Sequence, residues 1–276
     1  MSARSDAFRL GLPPSLPVSP VPGAQGRLTR VLSGILGRAV RVVVANDYDA
    51  LTDALRRSEV EAAWAPPLVA ARAEALGARV LVRTVRRGSV RSRAALLVRA
   101  DSTLQLETLA GTTAAWVDRA SLGGHLLALG WLRERGLDPT TLFAQQNFLG
   151  SYRLALDALL AGEAEVMSIF APPEGHDVSQ SVQEVAPGRE GEVRVLACTG
   201  SVLHDAWVVA GHVPLPEALR LERGLITARE IPEGTGLLRD VIRADRFERA
   251  PELGHRDLFG RALSDGSFPL LGNLAS

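Results

Sequence analysis

The chain has no lysine, only one cysteine and no long uninterrupted apolar run. Its 31 basic residues are therefore all arginines, and 31 acidic residues balance them. A net charge of zero gives no argument for nucleic acid or an anionic membrane surface as a partner. A single cysteine, Cys198, cannot form an internal disulfide. No window approaches the 18 apolar residues of a membrane-spanning helix, so we expect no membrane insertion.

Several motifs that carry chemistry are also missing. There is no cysteine pair and no His-x-x-x-His, so a metal site is not indicated. The glycine–lysine loop that binds nucleotide phosphates is absent, and so is the Gly-x-Ser-x-Gly elbow of hydrolases. Ser121 and His125 lie too close together on one helix start to act as nucleophile and base. We therefore expect no cofactor, no metal and no catalytic residue.

The first 14 residues contain no apolar segment of the signal-peptide type and no small-residue cleavage site. No lipobox cysteine is found there either. As written, the sequence predicts a cytoplasmic protein, and a periplasmic one if the start lies further upstream.

The 276 residues and the apolar content of 46% suit two lobes better than one core. Strand and helix periodicities alternate along the chain, which is typical of an α/β fold with parallel strands. The pattern restarts after Asp101. We therefore predict one lobe from residues 1–100 with 201–276 and another from residues 101–200. Two crossings would join the lobes at a hinge beside a central cleft.

Four local expectations need the structure to test them. Residues 13–26 hold five prolines and are predicted to be a loop. Residues 80–85 and 94–98 are predicted to pair as strands around a polar turn. Residues 238–247 could form a helix, and residues 264–273 read as irregular surface.

Residues 42–67 contain a strand, a tyrosine, an amphipathic helix, a second strand and a Trp-x-Pro-Pro turn. Ligands of such units gather beyond the carboxyl ends of the strands, where Tyr48 and Trp64 lie. An exposed Tyr48 would offer a stacking face and a phenol donor; the alternative is a tyrosine packed under the loop. Trp64 reads as core or as a pocket wall.

Two glycine-containing turns follow predicted strands and precede predicted helices. The first glycine turn (residues 121–124) and the second glycine turn (residues 150–152) both begin a helix. A helix start favours an anion because its first amides are unpaired and its dipole is positive there. Ordinary N-capping by Ser121 and Ser151 explains the same pattern. Further along, Asp205 could bind a ligand amine or pair with an arginine.

Several blocks in the same order resemble the phosphonate, phosphite and phosphate-binding proteins of ABC importers, a branch of the type II periplasmic binding fold. The likeness runs from Phe8 to about Leu225. Its blocks are FRLGLPP, LSGILGRAVRVVVANDYDALTDALRRSEVEAAWAPP, LLVRADSTLQLETLAGTTAAWVDRASLGGHLLAL, FLGSYRLALDALLAGEAEVMSI and HDAWVV.

The resemblance implies roles for particular residues. Tyr48 would contact the ligand, the first glycine turn would cradle the anion, the second would supply another donor, and Asp205 would bind an amine. This chain departs from the family pattern at four positions. Hydroxyls are missing at Leu122 and Gly123, Tyr152 stands in place of a histidine, and Ser92 stands in place of a tyrosine. Each lost donor to a charged group costs about 1.5–3 kcal/mol, and a neighbouring arginine such as Arg93 could compensate.

We therefore expect a solute-binding protein that closes on a small oxyanion, with an ABC permease or a signalling protein as partner. The expected ligand-binding residues are Tyr48, Trp64, Ser92, Arg93, Ser121, Gly123, Gly124, His125, Ser151, Tyr152 and Asp205. A cytoplasmic sensor with an altered pocket is the first alternative. The second is an enzyme on the same fold, for which His125, His204 and Asp205 are the acid–base candidates.

Overall fold

The computed structural model of the chain describes residues 7–15, 23–251 and 255. These residues form two compact units. Unit 1 contains the described residues up to Val90 and those from His204 onward, and unit 2 contains Arg91–Leu203. The lobe boundaries expected near residues 100 and 200 stay a prediction.

Unit 1 is built on a six-stranded mixed sheet. Its strands are β1 (Phe8–Leu12), β2 (Val40–Val44), β3 (Ala62–Ala65), β4 (Arg79–Val85), β11 (Ala206–Val209) and β12 (Arg246–Arg249). The order across the sheet is β12-β4-β11-β3-β1-β2. β1 pairs in parallel with β2 and with β3, as strand–helix–strand alternation requires, and β11, β4 and β12 join as antiparallel strands.

Helices cover this sheet, most of the longer ones through an apolar stripe at helical spacing. They are α1 (Ala24–Leu36), α2 (Tyr48–Arg56), α3 (Pro67–Ala75) and α8 (Leu215–Ile226), followed by a 3-10 turn (Ala228–Glu230), the short α9 (Gly234–Gly236) and a π-helical segment (Leu237–Ile242). In α1, for example, Leu28, Val31, Leu32 and Leu36 are all buried.

Unit 2 has its own sheet. Its strands are β5 (Arg91–Arg99), β6 (Thr113–Trp116), β7 (Gln145–Phe148), β8 (Val166–Ala171), β9 (Val193–Cys198) and β10 (Val202–Leu203). The order is β10-β5-β8-β6-β7, and β9 pairs with β5. β6 lies parallel to both β7 and β8.

Each face of this second sheet carries a separate apolar core. Helix α6 (Tyr152–Ala161) and helix α7 (Ser179–Val185) pack on one face, around Leu97, Met167 and Ile169. Helix α4 (Leu127–Arg133) packs on the other around Trp116, and the core on that face includes Leu142 of helix α5 (Pro139–Leu142). A π-helical turn (Leu122–Leu126) leads directly into α4, and 3-10 turns occupy Leu106–Thr108 and Glu190–Glu192.

Three local predictions differ from the structure. β4 and β5 do not pair, because β4 lies between β11 and β12 while β5 belongs to the other sheet. The predicted loop is too long at its end, since α1 begins at Ala24. The helix expected over residues 238–247 is wrong in its second half. Arg243, with φ of 54°, ends the π-helical segment, and β12 then joins the sheet. Residues 264–273 lie outside the described residues.

Within the part of the chain that the structure describes, no helix combines the length and the apolar character needed to cross a membrane.

Two glycines test how closely helices α1 and α8 approach. An added Cβ at Gly224 would lie 2.4 Å from Cγ2 of Ile35, whereas at Gly34 it would meet no atom within 4 Å. We expect Gly224→Ala to lower the free energy of unfolding by about 1–3 kcal/mol because of overpacking. Gly34→Ala should raise it by up to about 1 kcal/mol, since alanine is the better helix former. Urea unfolding of both variants checks this, and equal effects would contradict the close contact.

Candidate functional site

The first glycine turn connects β6 to the helix that includes α4. Ser121 is the N-cap, and its Oγ accepts a hydrogen bond from Gly124 N at 3.1 Å. The capping explanation of Ser121 is therefore seen in the structure, and the side chain is 1% exposed. Gly124 has no room for a side chain, because an added Cβ would lie 2.5 Å from Cγ2 of Val117. The backbone N–H groups at this helix start point out of the first turn, where an anion would be favoured.

The second glycine turn emerges beside the first because β6 and β7 are parallel neighbours. Leu149 N donates to Trp116 O at 2.9 Å and Gly150 N donates to Val117 O at 2.8 Å, so the pairing continues past the strand ends. Gly150 has φ of 82°, a left-handed conformation that favours glycine. Ser151 caps α6 by accepting from Leu154 N at 3.2 Å.

Gly123 and Tyr152 bring the two turns together. An added Cβ at Gly123 would lie only 3.0 Å from the Tyr152 hydroxyl oxygen and 3.3 Å from Cβ of Phe170. The missing side chain at position 123 thus leaves the space against which the tyrosine hydroxyl packs. The Tyr152 ring meets Phe170 edge to face, with 5.1 Å between centroids.

Ser168 of strand β8 holds the first glycine turn in place. Ser168 was not among the residues expected from the sequence. Ser168 is fully buried, and its Oγ donates to Gly123 O at 2.7 Å. Ser168 and Phe170 are two residues apart on one strand and so share a face. The available signal was a serine inside the apolar run VMSIF, since a buried hydroxyl needs a partner.

Arg93 and Ser92 lie on β5, next to β8. Arg93 is half-buried, pairs with Ala171 across the strands, and donates from Nε to Pro172 O at 3.0 Å. Ser92 is 9% exposed and pairs with Val202 of β10. Because alternate residues of a strand face opposite sides, the two side chains leave β5 on different faces.

His125 packs between two aromatic rings. Its Nδ1 donates to Arg119 O at 2.9 Å, and its ring lies 5.4 Å from Trp116 and 5.0 Å from Phe148 between centroids. Burial lowers the pKa of His125 to about 4, so it is neutral near pH 7. A ligand-binding role for His125 stays a prediction.

Tyr48 begins α2 in unit 1, where Asp47 is the N-cap. The tyrosine is 2% exposed and its hydroxyl is 2.6 Å from Ser15 Oγ. An exposed Tyr48 was therefore the wrong expectation, and packing under the loop was the right alternative. Its contact with a ligand stays a prediction.

Asp205 of unit 1 is paired with an arginine that the sequence analysis did not select. Arg86 NH1 donates to Asp205 Oδ2 at 2.9 Å, and the two side chains are 14% and 19% exposed. The same guanidinium donates to the main-chain oxygens of Ile242 and Arg243, both at 3.0 Å. It also lies 5.8 Å from the ring of Trp64, which is itself 5% exposed.

His204 adjoins this pair. Its Nδ1 lies 3.2 Å from Arg86 NH1, and an arginine can only donate, so Nδ1 is the acceptor and Nε2 carries the proton. Burial, with Arg86 and Arg87 nearby, lowers the pKa of His204 well below its usual value. Among the described residues, no group of three or more histidine, cysteine or acidic side chains could hold a metal ion.

The sheets and turns define a solute-binding protein of the type II periplasmic fold, and comparisons with known proteins agree. The sequence profile of the family described as "ABC transporter, phosphonate, periplasmic substrate-binding protein" matches residues 13–252. The chain belongs to that family. The predicted resemblance and fold class are confirmed. No curated protein matched the sequence.

Solved structures show the same fold at low identity. PhnD1 of Prochlorococcus marinus, in complex with methylphosphonate, matches with a TM-score of 0.80 and 15% identity, covering 95% of this chain and 99% of that one. The binding component of a Pseudomonas aeruginosa ABC phosphonate transporter matches with a TM-score of 0.78 and 15% identity, covering 96% and 89%. A Xanthomonas citri protein bound to ATP matches with a TM-score of 0.73 and 21% identity, covering 95% and 97%.

The Arg86–Asp205 pair should contribute strongly to the stability of unit 1. Arg86→Gln leaves a mostly buried carboxylate without its cation, so we expect the free energy of unfolding to fall by about 3 kcal/mol. Arg56→Gln is the control, because Arg56 and Asp53 are 46% and 47% exposed and such pairs contribute under about 1 kcal/mol. Urea unfolding measures both, and similar losses in the two variants would contradict the assignment.

Buried histidines should make the protein acid-sensitive. Burial lowers the pKa of His125 and of His255 from 6.5 to about 4. The unfolded chain therefore binds more protons than the folded one as the pH falls from about 6.5 to 4, and the free energy of unfolding falls with it. For His125 the loss between pH 7.5 and 5 is about 2 kcal/mol.

Denaturant unfolding at pH 7.5, 6 and 5 checks this. The pH dependence should become shallower in His125→Gln and stay as in the wild type in His176→Gln, because His176 is exposed. An unchanged slope in the His125 variant would show that this histidine does not cause the effect.

Proposed function

We propose that the protein binds a small oxyanion of the phosphonate or phosphate type at the two glycine turns of unit 2. The observation that carries this proposal is the contact between Gly123 and the Tyr152 hydroxyl, 3.0 Å from where a Cβ would stand. The Tyr152 hydroxyl, which comes from the second glycine turn, thus takes the place of the hydroxyl that the family pattern has at position 123.

The electrostatics of the two turns favour an anion. Both turns begin helices after adjacent parallel strands, so both positive helix ends lie at the same edge of the sheet. The capping hydroxyl of Ser151 accepts from the main chain and keeps its proton to donate, whereas Ser121, which is 1% exposed, serves to shape its turn. Bonds from such donors to a charged oxygen are about twice as strong as neutral ones.

Arg93 supplies the cation in this proposal. Only its Nε has a hydrogen bond within the described residues, to Pro172 O. The terminal nitrogens are left to meet an oxyanion, and a guanidinium matches phosphonate oxygens in a bidentate manner. This charge compensates for the hydroxyls absent at Leu122 and Gly123.

The proposed ligand carries no amine. Asp205 is the residue that the resemblance assigns to an amine, yet its carboxylate already pairs with Arg86 inside unit 1. A ligand ammonium would have to compete with a bonded guanidinium. We therefore infer a preference for phosphate, or for phosphonates with a simple alkyl group, over amino-phosphonates.

We place this binding activity in ABC import, with an ABC permease as the partner and the periplasm as the location, as the family description suggests. A sensor that signals to another protein would use the same turns. An enzyme is disfavoured because His125 and His204 are buried, neutral and held by main-chain or arginine contacts.

Isothermal titration calorimetry with methylphosphonate, phosphate, 2-aminoethylphosphonate and ethanesulfonate tests the proposal. We expect methylphosphonate or phosphate to bind, and 2-aminoethylphosphonate to bind more weakly. Tyr152→Phe should weaken binding by about tenfold or more, because a hydrogen bond to a charged oxygen contributes about 1.5–3 kcal/mol.

A compensating pair of substitutions makes the test specific. Gly123→Ser alone should weaken binding, since its Cβ would press on the tyrosine hydroxyl. Combined with Tyr152→Phe it should recover affinity, because the serine hydroxyl takes the freed space. Thr108→Ala, which removes a hydroxyl that donates to Gln105 O, is the control. Absence of heat from every ligand, or purely additive losses in the double variant, would refute the proposed site.

A further inference from the structure

Unit 2 has a cavity of about 320 Å³ on the face of its sheet that carries α4; we call it the α4 cavity. Its volume lies at the lower end of the range for small-molecule sites. Its apolar walls are Leu129, Pro139 and Phe148, and its polar lining includes Arg119, His125 and Arg133.

Two guanidinium groups at this cavity have no polar partner among the residues that the structure describes. Within the described residues, neither Arg119 nor Arg133 makes an ion pair or a side-chain hydrogen bond. The Arg119 guanidinium lies 4.3 Å from the centre of the Phe148 ring, so stacking orients it. Most neighbouring arginines of unit 2 are engaged; Arg135, for example, binds Trp131 O and lies over the Trp131 ring at 3.7 Å.

His125, the third polar group of the lining, offers the cavity a hydrogen-bond acceptor. A carbonyl can only accept, so the 2.9 Å contact with Arg119 O means that the proton of neutral His125 is on Nδ1. Nε2 is then left as an acceptor. The ring is held between Trp116 and Phe148, which fixes its direction.

A glutamine keeps the wall rigid. Gln146 accepts from Trp116 Nε1 at 2.9 Å and donates to Pro139 O at 3.1 Å, so it joins β7 to the start of α5. A cavity with fixed walls loses little freedom when a ligand enters, which favours binding.

The α4 cavity adjoins the first glycine turn without including it. Arg119 and His125 flank that turn in the chain, but the cavity lining contains none of residues 121–124 and none of residues 150–152. The Tyr152 ring packs against the other core, which contains Met167 and Ile169.

We propose that the α4 cavity is a second binding site, which takes a small aromatic carboxylate that bears a hydroxyl group. The carboxylate pairs with the guanidinium groups of Arg119 and Arg133, as planar carboxylates do with arginine. The ring lies against Phe148 and the aliphatic walls, and the hydroxyl donates to His125 Nε2. This site does not depend on the function proposed for the glycine turns.

Titration calorimetry with 4-hydroxybenzoate as probe tests the second site. We expect millimolar or tighter binding to the wild-type protein, weaker binding of benzoate, and no binding of 4-hydroxybenzyl alcohol, which has no charge. Arg119→Gln and Arg133→Gln should each weaken the probe about tenfold, and the double variant should abolish its heat. His125→Phe keeps an aromatic ring but should remove the preference for 4-hydroxybenzoate over benzoate.

Controls separate a true site from general charge effects. Arg135→Gln should leave probe binding unchanged, because Arg135 lies over Trp131 and outside the cavity lining. Saturating methylphosphonate should leave it unchanged as well. The proposal would be overturned by the absence of heat from 4-hydroxybenzoate up to about 10 mM, by an equal loss in Arg135→Gln, or by displacement with methylphosphonate. Thermal unfolding checks that each variant is folded. If the double variant does not fold, Arg119→Gln and Arg133→Gln are compared singly.

Discussion

The approach of the Tyr152 hydroxyl to the backbone at Gly123 is the contact on which the proposed oxyanion site depends. It requires both a residue without a side chain in one turn and a long phenol in the other. The two turns are held in place by parallel pairing that continues beyond β6 and β7, while Ser168 fixes the carbonyl of Gly123 from β8. Gly124 packs against Val117 with no room to spare. The proposed donors are therefore arranged before any ligand arrives, so little ordering entropy would oppose binding at this site.

A chain without lysine uses arginine for two distinct purposes. In unit 1, Arg86 directs its planar fork to a carboxylate and to two main-chain oxygens at once. A lysine, with one compact ammonium group, could not satisfy that geometry. In unit 2, Arg93, Arg119 and Arg133 keep terminal nitrogens without partners among the residues described. The same residue type thus serves as structural support in one unit and as a candidate anion partner in the other.

Local sequence patterns predicted many elements because each follows from spacing along the chain. The strand, helix and second strand predicted within residues 42–67 are β2, α2 and β3. Both glycine turns were also found, since serine caps and glycines mark helix starts. Contacts between residues far apart in the chain could not be predicted in this way. Nothing near position 86 indicates that Arg86 meets Asp205, and nothing near position 123 indicates Tyr152. The pairing of β4 with β5 failed for the same reason, because a short connection between two strands does not reveal that they belong to different sheets.

The burial of Ser121 bears on how such a site would distinguish oxyanions. With its side chain 1% exposed and its Oγ accepting from Gly124 N, Ser121 can add little beyond the shape of the turn. In the proposed site, recognition would then rely on main-chain N–H groups, the Tyr152 hydroxyl and Arg93. Main-chain N–H groups and arginine only donate, whereas a phenol hydroxyl both donates and accepts. A phosphonate or phosphate that retains one proton can donate it to that hydroxyl, and a sulfonate has no proton to give. Hydrogen phosphate carries both that proton and a second negative charge, and two positive helix ends would stabilise this dianion more than the single charge of a sulfonate. If Tyr152 contacts the ligand as we propose, it would favour phosphorus oxyanions over sulfonates even where hydroxyls of the family pattern are missing.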